Sequence, residues 1–269
     1  VVVEGETGGL LRGGVSKVTV DTAGGAAKVS VEFSMADAAG APIILPTAKE
    51  FEFYVAKLVP ATATKPATWQ SLINRSTGGT STTPTKTLVP TSERGNTDAA
   101  VTTHGDVTAT ATAGTYKYTF ATDLAAVNTF KYYGNTGAPD GAGVGISNVG
   151  VLSSAAATAT IPTLDLAWDT TDTYRVVIVS RDGTNYLYNA SVDFVPGSLP
   201  AVLSNKANQV VTNESCGACH GDSANRTAIL KFHGGRRFAT ESCVMCHNDG
   251  YFVGSASTDT AWTANISFK

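Results

Sequence analysis

Between residues 15 and 194 the chain alternates short runs of β-branched and aromatic residues with turn signals, and this two-residue rhythm limits its fold more than any other feature. Residues 15–20 and 28–33 alternate apolar with polar side chains, which puts Val15, Val29, Val31 and Phe33 on buried faces, because successive strand side chains point to opposite sides. Gly24-Gly25 between them predicts a hairpin. Further strands are predicted at 51–58, 107–112, 116–120, 129–133, 174–180 and 186–194. Residues 174–180 are an almost unbroken β-branched run, as expected of a central strand covered on both sides. Asp182-Gly183 supplies a turn that would pair this strand with residues 185–194. Roughly nine strands punctuated in this way predict a mainly β chain, either an antiparallel sandwich or a Greek-key barrel. Both architectures stay open at this level.

Composition agrees with pattern. The chain is rich in Thr and Ala and poor in Lys and Glu, which suits exposed strand faces better than helix surfaces. Residues 76–99 are Thr- and Gly-rich and read as a long exposed loop; residues 134–145 read as another. Gly141, Gly143 and Gly145 have the wrong spacing for a dinucleotide loop, and no helix pattern follows them. No apolar run approaches the roughly 18 residues of a membrane helix, so no transmembrane segment is predicted. With 19 basic and 22 acidic residues and a formal charge of -3, no clustered cationic field marks a nucleic-acid partner. The sequence starts Val-Val-Val-Glu, and an export signal is expected to have been removed already.

Pro196-Gly197-Ser198-Leu199-Pro200 breaks the strand rhythm. This sets a boundary at residue 200, with a β domain over 1–200 and a small, loop-rich segment over 201–269. All four cysteines and three of the four histidines fall in the second part. The cysteines occur in two copies of one pattern, Cys216-Gly217-Ala218-Cys219-His220 and Cys243-Val244-Met245-Cys246-His247. Each is C-x-x-C-H, the attachment signature of c-type haem. Cysteines three apart share one turn and reach both vinyl groups of a porphyrin, while the following imidazole becomes the proximal iron ligand. Two covalently bound haem c groups are therefore expected, with Cys216, Cys219, Cys243 and Cys246 as thioether ligands and His220 and His247 on the irons. Glu-Ser precedes both motifs, and Ser215 and Ser242 are expected to N-cap short helices that carry them. A single zinc held by all four cysteines, or disulfides, are the other readings of these thiols, but neither asks for a His after both pairs.

Two histidines remain for two distal iron faces. His233 lies between the motifs in Lys231-Phe232-His233-Gly234-Gly235-Arg236-Arg237, where the glycines let backbone approach a flat porphyrin. It is a candidate distal ligand for either iron. His104, in Thr102-Thr103-His104-Gly105-Asp106, is either a solvent-facing loop residue or the second distal ligand, for its own chain or a neighbour's. If it is not a ligand, Met35 or an outside group would take that position. Met245 is held inside its own attachment loop and cannot easily serve. Arg226, Lys231, Arg236 and Arg237 make the segment locally basic; Arg236 and Arg237 are candidate partners for haem propionates.

Residues 216–248, above all His233-Gly234-Gly235-Arg236-Arg237 and Cys243-Val244-Met245-Cys246-His247-Asn248, resemble the haem domain of the OmcA/MtrC-type outer-surface multihaem cytochromes of metal-reducing bacteria. Gly114-Thr115-Tyr116-Lys117-Tyr118-Thr119-Phe120 and the Asp193-Phe194-Val195-Pro196-Gly197 exit are weaker matches. The resemblance implies a split β-barrel leading into a haem domain, and iron ligation by His220, His247 and His233. It implies nothing for His104. Family members carry many more haems in a longer chain, so this is either a two-haem protein or a fragment of a larger one.

Haem c is attached after export, which points to the cell surface or the extracellular space, with the periplasm as the alternative. The function expected is electron carriage, without a catalytic residue, between haems and redox partners. Those partners are other cytochromes, extracellular acceptors, or identical subunits in a filament. The apolar ends at residues 1–3 and 262–268 could add strands to a neighbour's sheet in such a polymer. A haem enzyme with an open sixth site and a zinc-stapled structural β protein are the other classes.

Overall fold

The computed structural model describes residues 3–4, 11–37, 39–44, 51–77, 87–95, 105–126, 167–180, 188–198, 237, 239–247, 252–254 and 262–264. Within these, the strands are β1 (Val3–Glu4), β2 (Leu11–Arg12), β3 (Gly14–Asp21), β4 (Lys28–Ser34), β5 (Ala36–Asp37), β6 (Phe51–Val59), β7 (Thr68–Ser71), β8 (Asn74–Thr77), β9 (Thr87–Pro90) and β10 (Glu93–Arg94). They continue with β11 (Asp106–Ala109), β12 (Thr115–Asp123), β13 (Tyr174–Ser180), β14 (Asn189–Phe194), β15 (Phe252–Gly254) and β16 (Trp262–Ala264). The one α-helix among the described residues, α1 (Thr240–Cys243), lies in the second C-x-x-C-H region.

All strand pairings among the described residues are antiparallel. One sheet runs β1-β3-β4-β12-β11, and a second runs β10-β6-β13-β14 with β7 added to β6. A third joins β16-β15-β9-β8, and β2 pairs with β5. The described strands form separate sheets and no closed barrel, so of the two architectures left open by the sequence the packed-sheet one is observed. The β3–β4 hairpin forms as its alternation predicts, and Gly24 takes the positive φ of 66° that its turn requires. The β13–β14 pair also forms, with Tyr174 opposite Phe194 and Val179 opposite Asn189.

The inner faces of the two large sheets make the main core. Val15, Val29, Val31 and Phe33 from the first sheet are fully buried against Phe51, Phe53, Val55, Val176, Ile178 and Val192 of the second. Phe33 centres the cluster, with ring centroids of Phe53 and Tyr116 each 5.8 Å away. Tyr118 stacks on Phe53 at 3.6 Å. Burying each such side chain contributes roughly 1.5–3 kcal/mol.

A carboxylate ties the sheets together. Glu93 of β10 is fully buried, accepting from Tyr118 Oη at 2.6 Å and Ala121 N at 2.8 Å through Oε2, and from Thr122 N at 2.8 Å through Oε1. This corrects the expectation of one exposed loop over residues 76–99, which contains β9, β10 and part of β8. Polar composition there misleads because Glu93 finds three donors on β12, which offset part of the cost of burying its carboxyl group. Residues 134–145 and the predicted strand at 129–133 lie outside the described residues.

Val3 pairs with Val15, which makes β1 an outer strand of the first sheet, and Trp262 pairs with Gly254, which makes β16 an outer strand of the third. Past residue 200 the chain returns to the β region, where Phe252 of β15 pairs with Leu88 of β9.

Candidate haem site

The second large sheet is covered on both faces. Strand alternation sends Phe51, Phe53 and Val55 of β6 to the main core and Glu52, Tyr54 and Ala56 to the opposite face. On that outer face Tyr54, Ala56, Trp69, Val177 and Val179 form a second apolar cluster, and the residue that completes it is Met245, fully buried.

Met245 gets there because its segment is wound as a helical turn. Ser242 N and Cys243 N bond Ala239 O at 2.9 and 3.2 Å, and Val244 N bonds Thr240 O at 3.1 Å. Cys246 N and His247 N then both bond Cys243 O, at 3.2 and 2.9 Å. Residues three and four apart share a face of such a turn. Cys243, Cys246 and His247 are accordingly all partly exposed, while Met245 is turned into the sheet. Cys243 Sγ also lies 3.4 Å from Ala239 O. Cys246 and Val244 border the apolar cluster.

Ser242 does not cap this helix. The N-cap is Ala239, and Ser242 is a buried residue inside the helix whose hydroxyl donates to Asn189 Oδ1 at 2.9 Å. The helix starts at Thr240, so Ser242 lies past the position that faces the open amides and reaches β14 instead.

Charged groups frame the cluster. Arg237 Nη2 donates to Glu52 Oε2 at 2.9 Å and to Tyr54 Oη, and Tyr54 Oη itself donates to Glu52 Oε2 at 2.7 Å. Burial pushes the Tyr54 phenol well above its ordinary range, and the Glu52 carboxylate adds to the shift. On the neighbouring strands Arg175 Nε and Nη2 grip Asp193 Oδ1 and Oδ2 at 2.6 and 2.9 Å, and the guanidinium lies 4.1 Å from the centre of the Trp69 ring. Two buried donors next to the apolar cluster have no hydrogen-bond partner, Arg237 Nε and Trp69 Nε1.

These features suit a covalently held porphyrin. Two thiols and an imidazole share a partly exposed turn, a methionine fixes that turn to a rigid sheet, and two orphaned donors beside it lack an acceptor. Of the other residues singled out from the sequence, Cys216, Cys219, His220, His233, Arg236 and His104 lie outside the described residues. Met35 is fully packed in the main core, on the opposite side of the sheet from Met245. Glu52, Tyr54, Trp69 and Asn189 were missed by sequence reasoning. The one available signal was the polar set at every second residue of β14, Asn189, Ser191 and Asp193, with Arg175 in β13 opposite Asp193.

Residues 208–269, which include both C-x-x-C-H motifs, match the family of outer membrane cytochrome MtrC/MtrF-like domains II/IV. Over these residues the chain is similar to the MtrC/MtrF-like domains. The chain also superposes on the outer membrane decaheme cytochrome OmcA, with a TM-score of 0.53 and 19% identity over 95% of this chain and 31% of that one. On MtrC from Shewanella baltica OS185 the TM-score is 0.51, with 21% identity over 90% of this chain and 30% of that one. At such identities the likeness is one of fold, and the chain spans about a third of the length of both cytochromes. No curated protein matches the sequence. The resemblance to OmcA/MtrC-type cytochromes drawn from residues 216–248 is thus borne out; within the matched segment, residues 239–247 pack on the second sheet and β15 pairs with β9.

Proposed function

We propose that the chain is an outer-surface c-type cytochrome that passes electrons between two covalently bound haem c groups and external redox partners. The observation that carries this reading is the Cys243–His247 turn, with both thiols and the imidazole on its partly exposed side, inside a segment matching a cytochrome domain family. Cys216 and Cys219 would hold one haem and Cys243 and Cys246 the other, with His220 and His247 as proximal ligands and His233 as a distal ligand. His104 is the remaining candidate for the second distal position, in its own chain or a neighbour's. Arg236 and Arg237 would meet propionates. When bound, the haem irons cycle between ferric and ferrous states, at potentials set by axial ligands and burial. The protein's part is to attach, orient and insulate them, so no catalytic residue is assigned.

Partners follow from distance. Two haems span little, so other cytochromes, extracellular acceptors or further copies of the chain must extend the path. Stacking of copies into a filament is the more specific form of this proposal. The one-third coverage of OmcA and MtrC favours a second reading, in which these residues are one portion of a larger multihaem cytochrome.

The test is a visible spectrum before and after acid-acetone extraction, with intact mass on the same sample. Retained colour, a mass gain of two haems and low-spin bands insensitive to CO and cyanide are expected. Ready CO or cyanide binding would favour the open-site enzyme, and a colourless zinc protein would sink the cytochrome reading. Electron microscopy of the same preparation separates filament from monomer.

A further inference from the structure

We propose that Glu52 and Tyr54 are positioning residues for Arg237, and that the three form an electrostatic wall on the β domain that receives a propionate of the haem held at Cys243 and Cys246. The inference rests on the haem assignment above and adds the β domain's own share in tuning that haem.

Three observations converge. Glu52 and Tyr54 are two apart on β6 and so project from the same outer face, where both engage the Nη2 end of Arg237. That leaves the guanidinium fixed, with 17% side-chain exposure, and its Nε–H buried without an acceptor. Tyr54 is a member of the same apolar cluster that Cys246 borders, so a group carried by Cys246 adjoins this wall. Trp69 Nε1, in the same cluster, is a second buried donor without an acceptor. A buried cationic N–H is matched best by a carboxylate, and haem c carries two propionates.

The sign of the effect follows from charge. A positive group near the iron disfavours the ferric state and raises the midpoint potential; a negative group lowers it. Glu52→Gln removes the charge that offsets Arg237 and should raise the potential of one of the two haems. Arg237→Gln should lower the potential of that same haem. Tyr54→Phe keeps the Glu52–Arg237 pair and should give the smallest change of the three.

The experiment is a potentiometric titration of the haem-loaded full chain, followed by visible absorbance, with haem content checked by mass. Glu32→Gln serves as the control, because Glu32 pairs with Lys17 in the other sheet. Shifts of opposite sign for Glu52→Gln and Arg237→Gln, confined to one of two waves, support the proposal. Unchanged potentials, or shifts of the same sign from general loosening, with both haems retained, would overturn it. If Arg237→Gln fails to fold, Arg237→Lys keeps the charge without the Nε donor and should lower the potential by less than Glu52→Gln raises it. A shift of equal or greater size would count against the proposal. A chain without covalent haem would instead overturn the assignment on which this inference depends.

Discussion

Ser242 donates to Asn189 Oδ1 at 2.9 Å, joining the helical turn of the second haem motif to the first residue of β14, with both side chains buried. Asn189 is itself held by the bond from its Nδ2 to Tyr188 O at 2.8 Å. The attachment turn is thus fixed by a directional polar contact at one end and by Met245 in its apolar pocket at the other.

Ser242→Ala removes that donor and leaves the buried Asn189 oxygen poorer by one bond. A loss of about 1–2 kcal/mol is expected, read as a lower urea midpoint with an unchanged slope. Ser215→Ala, at the corresponding position of the first motif, gives the comparison.

Arg175 and Asp193 form a bidentate pair in which both side chains are 3% exposed. Breaking it from one side strands a buried charge. Asp193→Asn is expected to cost roughly 3–5 kcal/mol, whereas Arg175→Met with Asp193→Leu should cost much less, since each buried ion no longer needs a partner. Urea denaturation of the single and double variants checks this ordering, and a double variant as unstable as the single one would refute it.

Burial pushes the Glu93 carboxyl above its ordinary value of 4.5, against the hydrogen bonds from Thr122, Tyr118 and Ala121. The folded chain therefore holds this proton at a pH where the unfolded chain has released it. The associated stabilisation is complete below the ordinary carboxyl range and is lost as pH rises through the raised folded value. The wild-type protein should lose stability relative to Glu93→Gln across that window. Paired urea titrations at a series of pH values measure the difference, and a difference that grows in favour of the wild type with rising pH would contradict the prediction.

Gly105 has no room for a side chain. A Cβ there would lie 1.9 Å from Thr119 O, and the Gly105 amide donates to Tyr118 Oη at 3.0 Å. Gly105→Ala should cost roughly 1–3 kcal/mol through backbone displacement, seen in a lower melting temperature. Because His104 is the preceding residue, the same variant tests its role. A reduced low-spin fraction is expected if His104 ligates an iron, and an unchanged spectrum places it in the solvent-facing loop reading.

Local chemistry made several elements legible. The alternation in 28–33 and the β-branched run in 174–180 announced β4 and β13, because the two-residue period directly reports which side chains share a face. The β10 strand was hidden, since Glu93 in a polar stretch looks solvent-facing until its three donors on β12 are known. Ser242 was misassigned as a cap for a similar reason. Its partner Asn189 is distant in sequence, and a hydroxyl next to a short helix has a nearer default use.

By itself the sequence determined the strand rhythm, the two C-x-x-C-H motifs and hence the chemistry open to the chain. Strand periods and attachment spacings arise from neighbours along the backbone and need no distant partner. Only the tertiary structure decided what covers the outer face of β6, β13 and β14, that Met245 is the anchor of the attachment turn, and that Arg237 stands on Glu52 and Tyr54. A period shows that a strand has two faces; what packs on each depends on contacts made between residues far apart in the chain.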